Sequence, residues 1–206
     1  MYSPGAFVET DLAALDWLLL RDPFVTLVSC DDAMPFATHL PVLYSRQGER
    51  VLLEGHWARP NPQVVHGGKA LMIVHGPHAY VSPGAYPDKE SAARVPTWNY
   101  EVVHAHGTIY VRDDEKFVRG VVARLTRQHE AAEPQPWKMG DAPRDYLDDL
   151  LAQIVGIEIR LTRLEGKRKL NQHHAAADRQ GAIDGLQARG NPDLAAAMQA
   201  AAPPGA

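Results

Sequence analysis

Three stretches of this 206-residue chain gather side chains that could do chemistry. The first, Gly55-His56-Trp57-Ala58-Arg59-Pro60-Asn61-Pro62-Gln63, places an imidazole, a guanidinium and two carboxamides where a strand runs into a turn. A guanidinium can pair bidentately with phosphate, and carboxamides can serve hydroxyl groups, so Arg59, Asn61 and Gln63 suit a phosphorylated ligand. A polar turn closed by Asx-type hydrogen bonds would use the same residues. The second stretch, Val95-Pro96-Thr97-Trp98-Asn99-Tyr100-Glu101-Val102-Val103-His104-Ala105-His106-Gly107, is rich in groups with apolar bodies and polar tips. Side chains alternate across a strand, so Trp98 and Tyr100 share one face, as do His104 and His106. That face could meet a flat heteroaromatic ligand, or it could pack in a core with its polar tips satisfied. The third, Gly166-Lys167-Arg168-Lys169-Leu170-Asn171-Gln172-His173-His174, follows Arg160 and Arg163 and forms a basic island that could contact ligand phosphate or the DNA backbone. A solvated surface run is the plainer reading.

Other chemistries find less support. His104-x-His106, with His75 and His78 nearby, could supply imidazole ligands, but no HExxH or compact Cys/His pattern accompanies them, and no metal is assigned. GxGxxG, GxxxxGK[ST] and a serine nucleophile elbow are all missing, and no catalytic residue is assigned. With 21 Lys and Arg against 25 Asp and Glu, the net charge of −4 does not match nucleic acid as a whole, so any DNA contact must be local. The single cysteine, Cys30, lies in an apolar run and reads as a buried, inert thiol in a reducing compartment. Neither a signal peptide nor an 18-residue apolar stretch is present, which predicts a cytoplasmic protein without membrane contact.

The elements that must position these residues are mostly strands. Thr10 is placed to cap a helix over 11–20, with Leu12, Leu15, Leu19 and Trp17 supplying its apolar face, and Pro23 to end it. Strands are predicted over 24–30, 35–44 and 50–57, joined by Asp31-Asp32 and by Ser45-Arg46-Gln47-Gly48. A helical turn over 60–66 leads to a strand over 70–75, which Gly76-Pro77 punctuates before extended residues 78–82. The loop 82–96 is of a length that usually carries function, and a long strand over 98–111 follows it. Helices are expected over 114–129, capped by Asp113 or Asp114, and over 143–153, opened by Asp141; alternation then marks a strand over 156–164. The tail, Ala-rich and helical in character, ends in Pro203-Pro204-Gly205-Ala206. Connections this short between the early strands disfavour parallel crossovers, so the pattern predicts a mainly β fold, an antiparallel, Greek-key-like small barrel with peripheral helices. The domain reading is a barrel with inserted helices over 1–166, followed by a basic junction and helical C-terminal tail over 167–206.

The motifs taken in order resemble the PaiB family of FMN-binding negative transcriptional regulators along nearly the whole chain. The likeness runs through Met1-Tyr2-x-Pro4, His39-Leu40-Pro41, the Gly55–Gln63 stretch, Gly76-Pro77-His78-Ala79-Tyr80-Val81-Ser82-Pro83, Val95-Pro96-Thr97-Trp98-Asn99-Tyr100, Val103-His104-Ala105-His106-Gly107, Ile154-Val155-Gly156-Ile157-Glu158-Ile159 and Leu164-Glu165-Gly166-Lys167. It implies an FMN-binding split β-barrel that pairs as a homodimer, with flavin sites at the dimer interface. It also implies that His56 and Arg59 hold the flavin phosphate. His39, Asn61, Gln63, Trp98, Asn99, Tyr100, His104, Lys169 and Gln172 complete the expected cofactor set. Where the family usually reads Lys-Trp-Lys-Leu-Ser-Gln-Asn-Arg, this chain has Lys167-Arg168-Lys169-Leu170-Asn171-Gln172-His173-His174. The implied function is transcriptional repression. An FMN-dependent oxidoreductase and a flavin-free interaction module are the competing readings. No helix-turn-helix pattern is evident, which leaves direct DNA binding open.

Overall fold

Strands persist for as long as alternation keeps one face apolar, and here they outlast several residues that could have stopped them. The computed structural model describes residues 1–30, 34–87 and 95–201. In chain order it contains β1 (Val8–Glu9), α1 (Leu12–Arg21), β2 (Phe24–Cys30), β3 (Pro35–Pro41), β4 (Leu43–Gln47), β5 (Arg50–Ala58), β6 (Gly68–Val81), β7 (Thr97–Arg112), α2 (Glu115–Glu130), α3 (Arg144–Leu151), β8 (Ile154–Lys169), α4 (Ala176–Ala188) and α5 (Pro192–Ala200). Short 3-10 turns lie at Gly5–Phe7, Pro62–Val65, Pro83–Ala85 and Met139–Asp141. The expected Asp31-Asp32 turn, the middle of the 82–96 loop and the Pro203–Ala206 end lie outside the described residues. Among the described residues no helix is long and apolar enough to cross a membrane.

The strand order is β3-β2-β6-β7-β8-β5-β4, with β1 paired to β8, and β2–β3, β2–β6, β4–β5, β5–β8 and β1–β8 all pair antiparallel. The predicted strand over 35–44 is two strands, because the chain changes neighbours at Val42. That residue is buried, and its N–H donates to Pro23 O at 2.9 Å. β3 and β4, adjacent in the chain, therefore stand at opposite ends of the order. Closure follows: a Cβ on Gly55 of β5 would sit 3.1 Å from Pro41 O of β3, so a side chain there would push the two strands apart by a few tenths of an ångström. The result is the split-barrel fold. Gly76-Pro77 does not interrupt β6, whose pairing with β2 covers Ala70–Ile73 and ends before the proline, so no donor is missed on that side. β8 also outruns its predicted end, reaching Lys169.

The chain forms two compact units. One comprises Asp16–Val74 and His104–Leu164. Its core includes Leu27, Leu53, Met72, Ile109 and Ile157, and Val118, Val121 and Leu125 of α2 are buried as well. Asp114 caps α2 by accepting from Phe117 N at 2.9 Å, and the Phe117 ring lies where a Cβ on Gly156 would be, 2.6 Å away. The other comprises Met1–Leu15, His75–Val103 and the chain from Glu165 onward. Here α4 and α5 share one core with β6 and with the 3-10 turn region: Ile183, Leu186, Leu194 and Met198 are buried with Val81, Tyr86 and Leu170.

Helix α1 departs from its predicted face. Leu15, Leu18 and Leu19 are buried while Leu12 and Trp17 are more than half exposed, and the Arg21 guanidinium sits 4.4 Å over the Trp17 ring. An indole that snorkels beneath an arginine need not enter a core. The cap is Asp11, which accepts from Ala13 N at 3.2 Å, in place of Thr10.

Candidate functional site

In the unit containing β2 to β5, the polar residues after β5 serve the turn itself. Asn61 accepts from Gln63 N at 2.9 Å and donates to Thr38 Oγ1 at 2.9 Å. Gln63 is wholly buried, and its Nε2 donates to Leu27 O, Ser29 Oγ and Phe36 O at 2.9–3.2 Å. Together they staple the turn onto β2 and β3. Arg59, its side chain 46% exposed, is bonded within the unit: Nη1 and Nη2 donate to the two Asp113 oxygens at 2.8 and 2.6 Å, Nε to Ala152 O at 3.0 Å, and Nη2 to Ile154 O at 3.1 Å. The bond to Asp113 raises the guanidinium's pKa, and the same bond lowers that of the carboxylate. Burial holds the His56 imidazole below its usual pKa, and its Nδ1 is buried without a hydrogen-bond partner. His39 is exposed on β3, its ring stacked near Phe24 at 6.5 Å, and His104 meets His106 edge-on at 6.4 Å.

In the other unit, the alternation of β7 does what its sequence implies. Trp98 and Tyr100 face away from the core while Asn99 and Glu101 are buried. Trp98 keeps 53% of its surface exposed, and the His78 ring stands 6.1 Å from it. Lys169, at the end of β8, donates from Nζ to Trp98 O at 2.8 Å and to Thr97 Oγ1. A cation is thereby fixed at the backbone of an exposed indole. Burial lowers the Lys169 pKa, Tyr100 works against that, and neighbouring Lys167 adds to it. Lys167 is itself buried, its Nζ 5.2 Å from the Tyr100 ring and 3.2 Å from Tyr2 O. Arg168 pairs with Glu101 at 2.6 Å and Glu9 at 3.4 Å. The basic island is therefore turned inward and bonded within its own unit. Gln172 closes the strand end by accepting from Leu170 N at 2.8 Å and donating to Arg168 O, and Asn99 Nδ2 reaches Met198 Sδ at 3.3 Å.

The predicted residues thus form two groups: His39, His56, Arg59, Asn61, Gln63 and His104 in one unit, Trp98, Asn99, Tyr100, Lys169 and Gln172 in the other. Trp98 and Lys169 are brought together, as are Asn61 and Gln63. Sequence reasoning left out Thr97 and His78, although both stand within motifs it singled out, and Asp113, whose partnership with Arg59 spans 54 positions. An exposed aromatic surface with a held cation at its edge offers what a flavin requires, a plane for its ring and a positive charge for its phosphate or ring oxygens.

Comparison with known proteins identifies the family. Residues 1–163 match a family model described as a putative FMN-binding domain. An uncharacterized protein of Aspergillus fumigatus is 30% identical over 92% of this chain and 92% of its own length. The protease synthase and sporulation protein PAI 2 of Bacillus subtilis is 29% identical over 94% of this chain and 92% of its own. Among solved structures, the FAD and heme binding protein from Mycobacterium smegmatis superimposes with a TM-score of 0.55 at 19% identity, covering 79% of this chain and 73% of that one, and so shares its fold.

Proposed function

Because the chain belongs to the FMN-binding domain family matched over residues 1–163, and within it to the PaiB type, we propose that it binds FMN and acts as a negative regulator of gene expression. The observation that carries the flavin reading is the solvent-facing Trp98 with Lys169 held against its carbonyl. Trp98 would stack on the ring, Lys169 would keep an ammonium beside it, and His78 would border the same face. FMN, once bound, supplies a two-electron redox centre that can report the cell's reducing state. Arg59, already bonded to Asp113 and two carbonyls, is not given the phosphate here. The regulatory reading rests on the resemblance of the chain's motifs to the PaiB family. Because Lys167, Arg168 and Lys169 are committed within the fold, a DNA contact would have to use other residues.

Flavin fluorescence quenching tests the site. Trp98→Ala should weaken FMN roughly tenfold, the scale of an aromatic contact near 1.5 kcal/mol. Lys169→Met should weaken it and also remove a loss of affinity at alkaline pH, where the wild-type ammonium deprotonates earlier than an ordinary lysine. Equal binding by wild type and both variants would move the flavin elsewhere; no binding by the wild type would sink the flavin reading itself.

A further inference from the structure

Strands β6, β7 and β8 are neighbours in the sheet, and His78, Trp98 and Lys169, one from each, lie in the same unit. Alternation sets two of them outward: Ala79 and Val81 of β6 and Asn99 and Glu101 of β7 are buried, so His78 and Trp98 face solvent, their rings 6.1 Å apart. Lys169 joins them from the other side of β7, bonded to the Trp98 carbonyl.

Hydrogen-bond accounting shows what these side chains have left to offer. His78 Nδ1 stands 3.1 Å from Gly76 O. A carbonyl oxygen only accepts, so Nδ1 carries the hydrogen, and Nε2 of the neutral ring keeps its lone pair. Among the described residues that nitrogen has no hydrogen-bond partner, and the side chain is exposed, so a ligand can reach it. Lys169 Nζ donates to Trp98 O at 2.8 Å and to Thr97 Oγ1, which uses two of the three hydrogens of an ammonium. One acceptor and one donor therefore remain on either side of an indole that is 53% exposed. A phosphate offers acceptors alone and would leave the imidazole lone pair unused. A planar heterocycle that carries an N–H and carbonyl groups in its own plane answers the indole face, the acceptor and the donor together. The isoalloxazine ring is such a heterocycle, with a single N–H, at N3, between two carbonyls.

Building on the flavin reading above, we propose that His78 is a specificity-determining residue of this face: its Nε2 accepts the ring N3–H while Lys169 donates to a ring oxygen or nitrogen. The face then reads the pyrimidine end of the ring and not the phosphate. It accepts riboflavin and FMN through the same contacts and discriminates against a flavin whose N3 is alkylated.

FMN and 3-methyl-FMN, which lacks the N–H, are the probes, titrated by flavin fluorescence into the full-length protein. The wild type should bind FMN about three- to tenfold more tightly than the methylated analogue, the worth of one neutral hydrogen bond. His78→Leu, which removes the acceptor at an exposed position, should bind the two alike. His78→Gln, whose side-chain carbonyl can accept the same hydrogen, should restore the preference, a rescue that a merely structural role for the imidazole does not give. Lys169→Met should weaken riboflavin and FMN by the same factor. A preference for FMN that survives in His78→Leu overturns the role of His78, and riboflavin binding untouched by Lys169→Met returns that ammonium to the phosphate. A wild type that binds FMN and its methylated analogue equally overturns this inference while the flavin proposal stands; a wild type that binds neither removes both.

Discussion

Arg59 illustrates how a residue suited to one partner is claimed by another. A guanidinium at a strand end suits phosphate, but Asp113 reaches it first and two backbone carbonyls take further donors. Arg59→Ala is therefore expected to lower the melting temperature and leave the ratio of FMN to riboflavin affinity unchanged. A fall in that ratio towards one, measured by fluorescence titration, would show that phosphate displaces Asp113. Tyr44 is a second case. Burial, and then its hydrogen bond to Asp16, push the phenol up to about 12. A raised folded pKa means the phenol favours the fold up to about pH 10, the unfolded value, and that this contribution is lost as pH rises through about 12. Spectrophotometric titration should show one of the seven tyrosines ionising near pH 12, absent in Tyr44→Phe, and the variant's urea stability should fall less between pH 10 and 12. Ionisation of all tyrosines near pH 10 would dismiss the contact.

Among the elements, β7 and β8 depend on a close approach that a single methyl group would prevent. A Cβ at Gly107 would sit 2.5 Å from Arg160 O, and backbone cannot swing aside as a side chain can. Gly107→Ala should therefore destabilise by about 1–3 kcal/mol, the usual cost of overpacking. Gly120, inside α2 with open space around its missing Cβ, predicts the opposite. Gly120→Ala should stabilise by roughly 0.5–1 kcal/mol through helix propensity and backbone entropy. Urea denaturation of both variants decides the pair: a Gly107→Ala protein as stable as the wild type would mean the strand contact is not tight, and a destabilised Gly120→Ala would mean the space beside α2 is not open. The shared core of α4, α5 and Val81, Tyr86 and Leu170 carries a further expectation. A chain ending at Gln172 leaves those residues uncovered, and it should bind hydrophobic dye and lose cooperative unfolding. A truncated protein that melts as sharply as the full chain would show that the helices are dispensable.

For the whole molecule, the net charge of −4 and the inward-turned basic island together set an expectation for nucleic acid. DNA retention at physiological salt should be weak, and Lys167→Gln, Arg168→Gln and Lys169→Gln should not change its salt dependence, because those cations are already paired within the chain. Tight binding that these variants abolish would mean the pairs open on DNA. Assembly as a homodimer, proposed from the PaiB-type membership, leaves a sedimentation signature at micromolar concentration; a monomer there would remove any site that needs two protomers.

How much of this was legible in the sequence depends on the distance over which each feature is decided. Strand alternation, the β7 face that turns Trp98 and Tyr100 outward, the Asp114 cap and the order of family motifs are local, fixed by pleat geometry and hydrogen bonds a few residues apart. The split of residues 35–44 at Val42, the passage of β6 through Gly76-Pro77 and the burial of the wrong-looking side of α1 were not, because neighbouring strands and packed faces decide them. The same holds for the site. Composition alone marked Arg59, Lys167, Arg168 and Lys169 as cations looking for phosphate. Only the tertiary structure assigned them Asp113, Tyr2 and Tyr100, Glu101, and the Trp98 carbonyl, since a charge finds its partner by proximity in space and chain spacing does not record it.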